Sequence, residues 1–90
     1  MRFEWDPGKA SKNLARHGVS FEEAATVFRD ALSATGSNPD HSFDEARLVT
    51  FGISTGGRLL AIAHTDHDDT IKTISARPVT PSERTIYEEG

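Results

Sequence analysis

The sequence predicts an α+β fold: a small antiparallel sheet of three to four strands, two N-terminal helices and one C-terminal helix. Three observations carry that prediction. Helix-start signals stand at Asp6-Pro7 and at Ser20-Phe21-Glu22-Glu23, three strand-like runs crowd into residues 47–77, and Thr80-Pro81-Ser82-Glu83 opens a last helix just after Pro78. Ninety residues, 36% of them hydrophobic, suffice for one small domain spanning residues 1–90 with a thin core.

Phe3-Glu4-Trp5 is short, aromatic and extended in character. Asp6 then serves as an N-cap with Pro7 at the first helical position, so a strand passes straight into a helix from about Pro7 to His17, closed by Gly18. Its apolar residues are only Ala10, Leu14 and Ala15, while Lys9, Lys12 and Arg16 fall on neighbouring turns, which describes a surface helix with a narrow buried stripe. Ser20 and Glu23 fit a capping box, and Phe21, Ala24, Ala25, Val27 and Phe28 keep helical spacing through about Arg29. Residues 30–44 read as a long loop in which only Ala31-Leu32-Ser33-Ala34 has strand character.

The runs Arg47 to Ser54, Arg58 to Thr65 and Thr70 to Arg77 are separated by Thr55-Gly56-Gly57 and by Asp66-His67-Asp68-Asp69, the pattern of an antiparallel meander. Pairing His64 with Ile71 puts Arg58, Leu60, Ile62 and His64 on one face with Ile71, Thr73, Ser75 and Arg77. The last helix runs through Tyr87.

Composition excludes several functions. With no cysteine there is no disulfide framework, thiolate zinc site or catalytic thiol, which fits a reducing cytoplasm. The N-terminus has no apolar leader and the longest apolar run, Leu59 to Ala63, is too short to cross a bilayer, so the expectation is a soluble, unprocessed cytoplasmic protein without a membrane partner. The net charge of -4 argues against broad binding of polyphosphates. Charge is nonetheless uneven: Arg2, Lys9, Lys12 and Arg16 outweigh Glu4 and Asp6, whereas residues 22–70 hold nine acids against Arg29, Arg47 and Arg58. Any anion site is therefore local.

Four histidines invite a metal reading that their spacing does not support. His64-Thr65-Asp66-His67 lies where a strand enters a turn and reads as a solvated hairpin tip; a metal-dependent hydrolase built on it lacks a visible third ligand set, so no metal or cofactor is expected. His17, beside Gly18, suits the carbonyl end of its helix. The densest cluster of reactive types is Arg77, Glu83, Arg84 and Tyr87, with Arg77 at a strand end and the others on the first turns of the last helix. Two accounts fit it. One is an Arg77–Glu83 ion pair locking helix to sheet. The other is a phosphodiester site in which Arg77 or Arg84 holds phosphate, Glu83 or a histidine moves protons, and Tyr87 positions substrate.

Several segments together resemble the BrnT toxins of bacterial type II toxin–antitoxin systems. They are Phe3-Glu4-Trp5-Asp6-Pro7 with Lys9 and Asn13, His17 through Ala24, Val27-Phe28, Asp30, Asp40-His41-Ser42, Glu45-Ala46-Arg47, Gly52, Ile74-Ser75-Ala76-Arg77, and Glu83-Arg84 with Tyr87. The resemblance implies a fold similar to the RelE ribonucleases, metal-independent endoribonuclease activity that halts translation, and neutralisation by a BrnA-like antitoxin. It further implies that DNA is met only through the antitoxin, in an assembly for which a heterotetramer is suited. On this resemblance Lys72, Arg77, Glu83, Arg84 and Tyr87 map onto the catalytic machinery, and Lys12 and His17 onto RNA contacts. The chain departs from the pattern where Lys72 replaces an arginine, where Pro78 replaces a basic residue, and where Ser82 and Thr85 are neutral. Those losses also fit a second class, a non-catalytic antitoxin-binding module acting in complex assembly or operon repression.

Overall fold

The computed structural model describes residues 1–37 and 47–89. In chain order the elements are β1 (Arg2–Glu4), α1 (Pro7–His17), α2 (Phe21–Thr26) with a 3-10 turn at Val27–Arg29, β2 (Ala34–Ser37), β3 (Leu48–Ile53), β4 (Leu59–His67), β5 (Thr70–Pro78) and α3 (Pro81–Glu89). The five strands form one sheet in the order β1-β5-β4-β3-β2. This corrects the expected three to four antiparallel strands: β2 pairs antiparallel with β3, and β1 joins the far edge parallel to β5. Neither addition leaves a hairpin signal, because β1 is three residues long and its partner lies some seventy residues away. The segments Asp40-His41-Ser42 and Glu45-Ala46 lie outside the described residues.

The local signals act as their chemistry requires. The Asp6 carboxylate accepts the Lys9 amide at 2.9 Å, and Gly18 closes α1 at φ 68°, a left-handed conformation that glycine adopts without a Cβ clash. Ser20 Oγ accepts the Glu23 amide, but the Glu23 side chain is drawn elsewhere: it takes Arg58 and the Ser54 hydroxyl. Arg58 also donates to the Gly18 carbonyl at 2.9 Å, so one guanidinium ties the end of α1 and the start of α2 to β4. At α3 the capping box is complete, with Thr80 and Glu83 each bonding the other's backbone amide through the side chain.

The core lies between α1–α2 and one face of the sheet, formed by Val19, Phe21, Ala24, Val27, Leu60, Ile62 and Ala76 with Trp5, Ala10 and Phe28 packed against it. Gly52 belongs to this layer, since a Cβ there would lie 2.8 Å from Val27 Cγ1. His64 is also in the layer, contrary to the expected solvated tip. It is 1% exposed, meets Phe28 edge-on, and places Nε2 2.8 Å from Thr50 Oγ1 and Nδ1 2.7 Å from an Asp66 carboxylate oxygen. The turn itself lies further on, at Asp68-Asp69.

The expected register fails in an informative way. His64 faces Thr73 rather than Ile71, and the ladder slips at Ala63/His64, so that Ile74 is an extra residue on β5. Ile71, Thr73 and Ala76 therefore share the helix-packed face. Ser75 and Arg77, opposite Ala63 and Ala61, turn to the other face along with Lys72, opposite Thr65. The bulge aligns Lys72, Ser75 and Arg77 on one side of β5.

Candidate functional site

Of the expected buried stripe of α1 only Ala10 packs against the core, and a polar anchor does the rest. Leu14 is 52% exposed, and the buried residue of α1 is Asn13. β1 covers its edge of β5 only as far as Lys72, leaving the remainder of that edge without a strand neighbour. Asn13 fills the gap: its amide donates to the carbonyls of Ala76 (2.8 Å) and Val19 (2.9 Å), and its oxygen accepts the Ala76 amide (3.1 Å). One side chain thus imitates a strand residue and fixes α1 beside the bulge.

That attachment sets the geometry of a cleft of about 410 Å³ lined by Lys9, Lys12, Asn13, Arg16 and His17 of α1 and by Ile74 and Ser75 of β5. Relative to Lys9 the helix residues fall at i+3, i+4, i+7 and i+8, one helical face, with the bulge as the facing wall. On a chain of net charge -4, three permanent cations and an imidazole converge here. Lys12 and His17, both read from the sequence, line this cleft; Lys9, Arg16 and Ser75 were missed as site residues. Their helical spacing was visible, but the facing wall depends on the bulge.

The five expected catalytic residues do not gather at one point. Arg77 gives both terminal nitrogens to Glu83, at 2.7 and 2.8 Å, and a weaker bond to the Pro78 carbonyl. Arg77 chiefly, by hydrogen bonding, and the Thr80 amide behind it hold the Glu83 carboxyl down at about 2, so at neutral pH it stays ionised. With both oxygens bonded to the terminal nitrogens of Arg77, it anchors that side chain. Arg84 faces Glu88 at 3.6 Å. The Tyr87 hydroxyl donates to Asp30 at 2.6 Å, beside Leu32, Ile53 and Thr55; that bond pushes the phenol up and, with the Ile53 and Leu32 amides, lowers Asp30. Lys72 lies five residues before Arg77, about 16 Å along the strand. Arg77 does not line the cleft; it lies two residues beyond Ser75 on the same face of β5. Among the described residues no group of three or more His, Asp or Glu is placed to hold a metal ion.

Comparison with known proteins decides the family. The sequence model described as "Ribonuclease toxin, BrnT, of type II toxin-antitoxin system" matches residues 5–83. The chain belongs to the BrnT family of ribonuclease toxins. A search of curated proteins finds no match. Among solved structures, the 1.1 Å crystal structure of the Brucella abortus ribonuclease toxin BrnT is similar in fold, with a TM-score of 0.64 and 22% identity over 89% of this chain and 97% of that one. Membership in a type II toxin family implies an antitoxin partner. No helix among the described residues is long and apolar enough to cross a membrane. Within the BrnT match lie the whole cleft and both members of the Arg77–Glu83 pair, whereas most of α3 extends beyond it.

Proposed function

We propose that this BrnT-family chain is a cytoplasmic, metal-independent endoribonuclease that inhibits translation, resembles the RelE ribonucleases in fold and is neutralised by a BrnA-like antitoxin. The observation that carries the reading is the cationic α1–β5 cleft, whose Ser75 lies two residues before Arg77 on the same face of β5. Its groups suit cleavage by the ribose 2'-hydroxyl. A base removes the hydroxyl proton, the oxygen attacks the adjacent phosphorus, and the 5'-oxygen leaves with a proton, giving a 2',3'-cyclic phosphate and a 5'-hydroxyl. Lys12, Arg16 and Arg77 supply positive charge toward the phosphorane, and His17 carries the side-chain type suited to moving the proton. Glu83 orients Arg77, while Lys72 and Arg84 extend the cationic surface and Tyr87 holds α3 in place through Asp30. DNA is reached only through the antitoxin, in a heterotetramer.

One observation favours the second reading, a non-catalytic antitoxin-binding module: both terminal nitrogens of Arg77 are already bonded to Glu83. Induced expression, with and without the antitoxin, separates the two. The ribonuclease reading expects growth arrest rescued by the antitoxin, RNA cleavage by purified protein that persists in EDTA, and loss of both in folded Arg77→Ala. Stable complex formation without arrest or cleavage would establish the module instead.

A further inference from the structure

The shape of the cleft says more than its charge, and the inference drawn from it rests on the ribonuclease reading above. Lys9 and Arg16 stand seven helical steps apart on α1, about 10.5 Å at 1.5 Å per residue, with Lys12 between them in a single row. The opposite wall is not cationic: the bulge presents the aliphatic side chain of Ile74 and the hydroxyl of Ser75. A row of cations facing an apolar wall across a pocket of about 410 Å³ is sized for a small guest with a charged edge and a flat uncharged body. Asn13 lines the pocket as well, but its amide is committed to the Val19 and Ala76 backbone.

We infer that the cleft is a seat for single-stranded nucleic acid, with consecutive phosphates along Lys9, Lys12 and Arg16 and one unstacked base laid against Ile74 within reach of Ser75. A duplex does not satisfy this geometry, because its bases are stacked inside the helix and only its backbone meets the rim. No Phe, Tyr or Trp is among the described residues lining the cleft, so the base is held by aliphatic contact and one hydroxyl with the His17 imidazole at the rim, and preference among the four bases at this position is weak. Phosphate neutralisation by three cations sets the salt dependence: for a single strand log K falls with log salt by about 0.7 per phosphate, a slope of about -2 here.

The test is fluorescence anisotropy across a salt series with a 2'-O-methyl single-stranded oligonucleotide, whose blocked hydroxyl prevents cleavage, and with its duplex. Wild type is compared with Lys12→Ala/Arg16→Ala, two exposed helix positions, and with Ile74→Ala, while unmodified RNA is assayed for cleavage in parallel. The expected results are a slope near -2 for wild type, a slope smaller by about 1.4 in the double variant, weaker single-strand binding in Ile74→Ala at unchanged slope, and weaker binding of the duplex. An unchanged slope in the double variant, or a duplex bound as tightly as the single strand, overturns the seat. If RNA is still cut in that case, the ribonuclease reading stands and only the seat is wrong. Binding with the expected slope but no cleavage upholds the seat and removes the ribonuclease reading. Neither binding nor cleavage overturns both.

Discussion

The helices α1 and α3 flank the β5 residues of functional interest and carry most of the others, and they are attached to the sheet in opposite ways. α1 is anchored from within, by the amide of Asn13 inserted against β5 and by Arg58 closing on the Gly18 carbonyl. α3 has no buried residue, and it is held from outside by the Arg77–Glu83 pair, its Thr80 capping box and the Tyr87–Asp30 bond. A helix fixed at its centre can hold three cations in a set relation to a facing strand. One held by exposed polar contacts can orient a neighbour such as Arg77, but it places its own side chains less firmly. The difference argues for building the site on α1 and giving α3 a supporting part.

The sharpest way to break the comparison is Asn13→Ala. Removing a side chain that is 6% exposed strands two carbonyls and one amide at the helix–sheet seam, and a loss of about 2–4 kcal/mol is expected from denaturant unfolding. A loss below about 1 kcal/mol would show that α1 does not depend on this anchor.

Glu83→Gln tests the outer attachment and has a smaller expected effect. Arg77 is 38% exposed at its side chain, so the pair is screened and its contribution is on the order of 1 kcal/mol despite the bidentate geometry. Pairing lowers the folded-state carboxyl from 4.5 to about 2, so this stability is present in full above about pH 4.5 and is lost as pH falls toward about 2. The stability gap between wild type and Glu83→Gln should therefore narrow across that window and close at its acid end; a gap constant with pH would mean that the ion pair does not set it. Tyr87→Phe removes one half-buried hydrogen bond and should have the smallest effect of the three in the same assay. A cost matching that of Asn13→Ala would erase the distinction between the two helices.

The same contrast separates what the sequence shows from what it hides. Asp6-Pro7, Gly18, Ser20 and Thr80-Pro81 act within a turn of themselves, so their signals are complete in the sequence and the three helices appear where those residues place them. Glu23 shows the limit: it has the spacing of a reciprocal cap, yet a guanidinium thirty-five residues away claims its carboxylate. Ile74 is the more costly case. Alternation alone carries β5 through in step and turns Arg77 toward the helices, whereas one extra residue sends Ser75 and Arg77 to the other face. Lys12 and His17 were expected as RNA contacts on the family resemblance alone, and the regular α1 turns both into the cleft, while Lys9, Arg16 and Ser75 gain their relation to them only across that bulge. The expected catalytic group of Lys72, Arg77, Glu83, Arg84 and Tyr87 rested on the family resemblance, and α3 points its own three members, Glu83, Arg84 and Tyr87, at Arg77, Glu88 and Asp30.

The most direct test of the central claim, that RNA is cut in the α1–β5 cleft, is the rate at which purified protein cleaves single-stranded RNA. Wild type is set against Lys12→Ala/Arg16→Ala and His17→Ala, with thermal unfolding as the control. The account predicts RNA ends bearing 2',3'-cyclic phosphate from wild type, and rates reduced at least tenfold in both variants at little changed melting temperature, a barrier increase of about 1.4 kcal/mol or more. Cleavage at the wild-type rate by folded protein lacking these cleft side chains would contradict it.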